Sequence, residues 1–163
     1  MRYHNITKDD MLNGSGLRVV LWVSGCTHAC RGCQNPITWD LHDGLDFDDA
    51  AKEEVFRELR KDYIDGITLS GGDPLHPANR AEIGALIKEL HTAFPTKSIW
   101  LYTGFSWEDI KDLSFIPFVD VIVDGRFRLE LLDKQLHWKG SSNQNVIHVK
   151  RSLSENRLVV LEN

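Results

Sequence analysis

The stretch LRVVLWVSGCTHACRGC, residues 17–33, joins an apolar run directly to three cysteines. Its first part, Leu17–Ser24, is rich in β-branched side chains and follows a Gly-Ser-Gly turn, which predicts a strand buried on both faces. Strands of this kind belong to parallel sheets that are covered by helices. The stretch therefore predicts an α/β fold in which a buried parallel strand delivers a cysteine loop at its carboxyl end.

Outward from this stretch, helical and strand patterns alternate. Helices are predicted over Asp48–Tyr63 and Ala78–Phe94, and a Ser-Trp-Glu-Asp capping box at 106–109 predicts a third, short helix. The apolar face of the first helix is expected to contain Val55, Phe56, Leu59 and Tyr63. Further strands are predicted over Gly66–Ser70, Ser98–Thr103, Val119–Val123 and Arg157–Leu161.

Alternating strands and helices predict β-α-β units, a mostly parallel sheet and right-handed crossovers. A complete eight-fold barrel takes about 250 residues. Because the chain has only 163 residues, we expect an incomplete (β/α) TIM-like barrel. No repeat, linker or low-complexity tract divides the sequence, so residues 1–163 are expected to form a single compact domain.

Composition excludes several classes of function. The chain carries 19 basic and 24 acidic residues, a net charge of −5, which argues against a surface that neutralises nucleic-acid phosphates. Its apolar runs fall short of the about 20 residues that span a bilayer, and its first residues, MRYHNITKDDML, lack the apolar core of a signal peptide. We therefore expect a cytoplasmic protein that binds neither nucleic acid nor membranes.

The cysteines carry the strongest chemical signal. All three lie within eight residues, at Cys26, Cys30 and Cys33, in a C-x₃-C-x₂-C pattern. An odd, clustered set suits metal ligation better than a disulfide framework. Three thiolates without a fourth would leave one iron of a four-iron cluster open to a further ligand. A Cys₃His zinc site with His28 or a distant histidine is the alternative, although the second pair of ligands usual in zinc sites is missing.

Three more loops are expected at the same sheet edge, because the carboxyl ends of parallel strands lie together. They are Gly71–Pro74, Thr103-Gly104 and Asp124–Arg126, each following a predicted strand. Taken alone, each of these loops is also explained as an ordinary turn. Together with the cysteines they predict one functional site.

The cysteine pattern after one strand and a Gly-Gly-acidic motif after the next resemble the radical S-adenosylmethionine superfamily. Within it, the chain is similar to the activating proteins of anaerobic ribonucleotide reductases over Asn13–Gln144, the motif-bearing core. The similar segments, in order, are NGSGLRVVLWVSGCTHACRGC, QNPITW, LSGGDPLHPANR, IWLYTGFSWEDI, VDVIVDGRF and WKGSSNQ.

This resemblance implies an activity and its partners. A 4Fe-4S cluster held by the three cysteines would bind S-adenosylmethionine at its open iron, and one-electron reduction would yield a 5′-deoxyadenosyl radical. The radical would take a hydrogen atom from a glycine in the large glycyl-radical subunit of anaerobic ribonucleotide reductase. A one-electron donor such as a flavodoxin is implied, and a homodimer is compatible with the resemblance.

The resemblance also assigns roles to residues outside the cysteines. Gly71, Gly72 and Asp73 would bind the methionyl amino group of S-adenosylmethionine. Asp124 and Arg126 occupy the positions at which related activating enzymes approach the methionyl carboxylate.

Three further positions are predicted to contact the cofactor. Thr103 is a candidate for polar contacts to ribose or methionine. Gly32 and Gln34 flank the third cysteine at places where superfamily members and activating proteins often carry an aromatic residue near adenine. In this chain neither residue is aromatic, which is a departure from the family pattern.

Two other functions compete with this interpretation. The first is an activator of pyruvate formate-lyase or of another glycyl-radical enzyme, although such activators are generally longer and several carry extra cysteine-rich inserts. The second is a non-catalytic iron–sulfur or zinc module, which would need a fully ligated metal.

Overall fold

A computed structural model of the chain describes residues 1–161. Seven strands in this range form a single sheet. The strands are β1 Arg2–Asp10, β2 Arg18–Val23, β3 Leu45–Asp46, β4 Gly66–Gly71, β5 Ser98–Tyr102, β6 Val121–Asp124 and β7 Asn145–His148. The α-helices are α1 Asp49–Leu59, α2 Arg80–Ala93, α3 Trp107–Ile110 and α4 Val149–Glu155. Short 3₁₀ turns cover Pro36–Thr38, Ile116–Phe118 and Leu129–Leu131. Within the described range, none of the helices has the length and apolar character needed to cross a membrane.

The order of the strands across the sheet is β3-β1-β2-β4-β5-β6-β7. The central strands β2, β4, β5 and β6 run parallel to one another. Antiparallel strands flank them on both sides, with β1 and β3 beside β2 and β7 beside β6. The fold is therefore mixed α/β with a parallel centre, and the loops after the four central strands leave from one edge.

The main hydrophobic core lies on one face of the sheet. Alternate residues of β2, β4 and β5 point into it and meet apolar residues of the helices, as their period of two requires. The sheet contributes Val19, Leu21, Val23, Ile67, Leu69, Ile99 and Leu101, and the helices contribute Val55, Leu59, Ile83, Ile87 and Leu90. A smaller cluster on β5, β6 and β7 consists of Trp100, Val121, Val123 and Val146, and Trp138 packs against it.

A fully buried arginine, Arg18, begins β2 within the run that the sequence marks as apolar. Its guanidinium donates to Thr68 Oγ1 at 2.8 Å and to the carbonyl oxygens of Ile67 at 2.7 Å and Ser98 at 2.9 Å. Burial lowers its pKa to about 10. The cation also lies 5.3 Å from the centre of the Trp100 ring, so Arg18 ties the start of β2 to β4 and β5.

The four predicted parallel strands and the three predicted helices are confirmed with small shifts of their ends, and the capping box of α3 is present. Two predictions were wrong. Helix α1 ends at Leu59, so Tyr63 lies beyond it and is 54% exposed instead of packed on the buried face. Residues 157–161 form no strand; Val160 makes an isolated bridge to Ile147. Closure of the sheet into a partial barrel stays a prediction.

Candidate functional site

The parallel register brings the four predicted loops to one edge of the sheet. Val23 at the end of β2 pairs with Gly71 at the end of β4, and Tyr102 at the end of β5 pairs with Val123 in β6. The cysteine loop follows β2, and the Gly-Gly-Asp-Pro turn follows β4 beside it. The structure thus places the loops that carry the predicted site residues after strands that end at one edge of the sheet.

The cysteine loop is irregular and is held by backbone hydrogen bonds. The N–H of Gly25 donates to the carbonyl oxygen of Thr38 at 2.8 Å, and that of Cys26 donates to Trp39 at 3.0 Å. Gly25 has a φ of +105°, a conformation that strongly favours glycine. The loop leaves β2 through this turn and packs against the short helical turn that follows it.

All three cysteines are free and half-buried. Burial raises the pKa of the Cys26 thiol, and the backbone N–H of His28 acts against that rise. Burial also raises the pKa of Cys30, opposed by the backbone N–H of Phe127 and by the charge of Arg126.

The third sulfur is also met by a backbone donor, since Cys33 Sγ accepts a hydrogen bond from the N–H of Asn35 at 3.4 Å. Amide donors around sulfur favour thiolates and are the usual surroundings of iron–sulfur ligands. The loop therefore fits a cluster. Across residues 1–161, no three His, Cys, Asp or Glu side chains converge closely enough to hold a single ion, whereas a cluster spreads its ligands over separate irons.

The Gly-Gly-Asp-Pro turn packs directly on the root of the cysteine loop. Gly72 N–H donates to Val23 O at 2.8 Å, and Asp73 N–H donates to Gly25 O at 2.7 Å. A Cβ on Gly71, whose φ is +115°, would lie 2.5 Å from both N and O of Val23. Only glycine permits this approach, and the two loops form one continuous surface.

The Asp73 carboxylate is 1% exposed and joins three loops. Its Oδ1 accepts from Leu75 N–H at 2.8 Å, and its Oδ2 accepts from Gly104 N–H at 3.0 Å. The hydroxyl of Thr103 lies 2.9 and 3.0 Å from the two oxygens. His28 Nε2 lies 2.6 Å from Oδ2. Thr103, predicted to contact the cofactor, here contacts Asp73.

Asp124 is likewise buried and bonded within the protein. Its Oδ2 accepts from the N–H of Trp107 at 2.8 Å, at the start of α3. Its Oδ1 accepts from Asn145 N at 3.1 Å and from Asn145 Nδ2 at 2.9 Å, at the start of β7. The carboxylate fixes the loop that leads to Arg126.

Arg126 lies exposed near Cys30. Within residues 1–161 its guanidinium makes no hydrogen bond or ion pair, so its donors face solvent. Its backbone is fixed by Asn143, whose Nδ2 donates to Arg126 O at 2.9 Å. Gly32 and Gln34 are also exposed at this rim.

Sequence reasoning missed two side chains of this region. The sequence suggests His28 only as a zinc ligand, whereas in the structure its ring bonds to Asp73. Gln144 lies in the WKGSSNQ segment, for which no role was predicted, and its side-chain amide donates to the carbonyl oxygen of Gly125. The only sequence signal for either was membership of a segment similar to the family.

Comparison with known proteins gives a consistent set of relatives. The family model described as a 4Fe-4S single cluster domain matches residues 12–147, a range that contains all three cysteines. A protein of enterobacteria phage T4 is 47% identical over 146 residues, covering 90% of this chain and 93% of its own length. Proteins of Salmonella typhimurium and Escherichia coli K12 are 42% and 40% identical over 154 residues, covering 92% of this chain and 100% of their own lengths. All three relatives are named anaerobic ribonucleoside-triphosphate reductase-activating protein.

Proposed function

The chain belongs to the family of anaerobic ribonucleoside-triphosphate reductase-activating proteins, and we propose that it generates a glycyl radical on the large reductase subunit by radical S-adenosylmethionine chemistry. The observation that carries this proposal is the meeting of three half-buried cysteines with the Gly71–Asp73 turn at one sheet edge. When bound, a 4Fe-4S cluster and S-adenosylmethionine would supply reductive cleavage to methionine and a 5′-deoxyadenosyl radical, which takes a hydrogen atom from the glycine.

The cysteines serve as cluster ligands, and the loops around them bind S-adenosylmethionine. Cys26, Cys30 and Cys33 hold the cluster as thiolates, and the backbone N–H groups beside them favour that ionised form. Because the chain supplies only three thiolates, one iron would be left for the amino and carboxylate groups of S-adenosylmethionine.

Two loops orient the methionyl part of that molecule. The backbone carbonyl groups of Gly71 and Gly72 would accept hydrogen bonds from its ammonium group, and the nearby charge of Asp73 would favour that cation. Arg126 pairs with its carboxylate, for which a planar guanidinium with unused donors is well suited. Gly32 and Gln34 would lie toward the nucleoside, whereas Thr103, whose hydroxyl bonds to Asp73, would act on the site through that carboxylate.

A macromolecular substrate agrees with the exposed rim. Arg126, Gly32 and Gln34 are open to solvent, so a loop of another chain reaches them without unfolding this one. A cytoplasmic reductase and a one-electron donor such as a flavodoxin complete the proposed system. Excluding water around the reacting atoms then depends on the docked partner.

The test is anaerobic reconstitution with iron and sulfide, reduction, and addition of S-adenosylmethionine with the purified large reductase subunit. We expect 5′-deoxyadenosine and methionine in equal amounts and a glycyl radical signal in electron paramagnetic resonance that requires the reductase. Cys33→Ser is the matched control and should give neither product nor radical.

Two other results would support the alternative functions. A radical formed on pyruvate formate-lyase but not on the reductase would identify an activator of that enzyme. Stoichiometric zinc without sulfide, or a cluster that leaves S-adenosylmethionine uncleaved, would indicate a non-catalytic module.

A further inference from the structure

We propose that His28 and Asp73 form a buried clamp that fixes the cysteine loop onto the ends of β4 and β5, so that both act by positioning the cysteines and not by touching the substrate. This inference rests on the proposed cluster site. His28 lies between Cys26 and Cys30 in the sequence, and its Nε2 lies 2.6 Å from Asp73 Oδ2. Both side chains are almost fully buried, at 5% and 1% exposure.

The bonds of Asp73 leave its carboxylate no free capacity. An ionised carboxylate offers about four lone-pair sites. Leu75 N–H, Thr103 Oγ–H, Gly104 N–H and His28 Nε2 lie within 3.0 Å of its oxygens. A ligand ammonium would have to displace one of these donors, so Asp73 contributes charge and geometry rather than a direct contact.

The pocket around the His28 ring is built to fit it. A Cβ on Gly104 would lie 2.4 Å from Cδ2 and 2.6 Å from Nε2 of His28, so this glycine makes room for the ring. Phe105 packs edge-on against the imidazole at a centroid distance of 4.8 Å. The guanidinium of Arg80 lies over the same Phe105 ring at 4.9 Å.

The other ring nitrogen points to a role beyond packing. Nδ1 of His28 is buried and has no hydrogen-bond partner in the described part of the chain. A buried polar atom without a partner costs free energy, and native folds retain one only for a reason. The ring therefore stays buried at a cost on its Nδ1 side, and the bond between Nε2 and Asp73 is what the fold obtains from it.

The rate of iron loss measures how firmly the loop holds its cluster. Reconstituted protein is mixed anaerobically with excess ferrous chelator, and the coloured iron complex is followed with time. His28→Phe should lose iron about tenfold faster than the parent, as outer-shell changes at metal sites do. Asp73 keeps its Thr103 and Gly104 donors in this variant, so the chain should fold. His28→Gln restores a donor to Asp73 and should recover part of the difference.

Gly104→Ala tests the clamp without replacing either His28 or Asp73. Its new methyl group displaces the imidazole and should also speed iron loss. Gly84→Ala, in helix α2, is the matched control, because its Cβ would lie 2.5 Å from Phe115 Cδ1. That variant should lower thermal stability while keeping the parent rate of iron loss.

Each outcome decides a different question. Parent-like iron retention in both His28→Phe and Gly104→Ala overturns the clamp, and so does equally fast loss from Gly84→Ala, which would show general destabilisation. If His28→Phe does not fold, Gly104→Ala decides. If the parent protein takes up no iron, both the proposed function and the clamp, which depends on it, are wrong. If the parent protein retains iron but does not cleave S-adenosylmethionine, only the proposed function is wrong.

Discussion

The side-chain amide of Gln144 donates a hydrogen bond to the carbonyl oxygen of Gly125 at 3.0 Å. Its own Oε1 accepts from Gly140 N–H at 3.0 Å and from Ser141 N–H at 3.1 Å. One glutamine thus joins the turn before β7 to the loop after β6. Because Arg126 follows Gly125 in that loop, the WKGSSNQ segment helps to fix the position of Arg126 without being part of the cysteine site.

Replacing Gln144 by leucine should loosen this loop. Gly140 N–H and Ser141 N–H lose their acceptor, and half-buried donors without partners cost about 1–3 kcal/mol. We expect a loss of that size in the free energy of unfolding, measured by denaturant titration. Gln135→Leu, at an exposed glutamine, is the control and should change little. Equal stability of the two variants would contradict a bridging role for Gln144.

The parallel centre of the sheet was predictable because each strand carries its own signal. Val19, Leu21 and Val23 alternate toward the core within six residues, and no distant information is needed to see it. Strand β1 was not predicted. Its sequence RYHNITKDD is mostly polar, and it forms a strand because it pairs with the edge of β2.

Contacts between distant residues explain the other differences. Arg18 lies in a buried strand because Thr68 and Ser98, 50 and 80 positions away, supply its acceptors. Tyr63 was placed on a helical face by its spacing, but the chain leaves the helix at Leu59 and turns toward β4. Periodicity reports the face of a helix and not where the helix ends.

The same reasoning separates the predictable part of the site from the rest. Loops after parallel strands lie together, so the grouping of Cys26, Asp73 and Arg126 at one edge followed from the predicted parallel direction of their strands. The pairing of His28 with Asp73, 45 positions apart, depends on the loop path and on the space beside Gly104. No local pattern in the sequence specifies that path.

Each cysteine should be required for the cluster. Replacing Cys26, Cys30 or Cys33 singly by serine should reduce the iron content after reconstitution from about four per chain to a small fraction. The reason is that the chain has no other cysteine to replace the lost ligand. Iron and acid-labile sulfide analysis measures this. His42→Gln, at an exposed histidine, should load normally. A single serine variant that retains full iron and sulfide would remove that cysteine from the ligand set.

The capping box of α3 gives a pH-dependent contribution to stability. Ser106 Oγ–H and N–H donate to Asp109 Oδ2 at 2.6 and 3.2 Å, and they hold the pKa of Asp109 below its ordinary value. A carboxylate with a lowered pKa in the folded state stabilises the fold above its unfolded pKa of about 3.9. That contribution is lost as the pH falls through the folded-state value.

Ser106→Ala should therefore raise the pKa of Asp109, followed through its carboxyl carbon resonance in a pH titration. Ser114→Ala, at an exposed serine shortly after α3, is the control and should leave that pKa in place. An unchanged titration in Ser106→Ala would show that another donor holds the carboxylate.

Arg126 should contribute affinity for S-adenosylmethionine without affecting the cluster. Charge-assisted hydrogen bonds contribute about 1.5–3 kcal/mol, so Arg126→Ala should weaken binding about tenfold or more, measured by anaerobic calorimetric titration of reconstituted protein. Arg126→Lys should recover only part of this, because an ammonium cannot form the two parallel bonds of a guanidinium. Arg128→Ala, at an exposed arginine two positions on, is the matched control with equal charge loss. Equal weakening in both alanine variants would indicate a general field effect, whereas loss of iron from Arg126→Ala would place the residue in support of Cys30 instead.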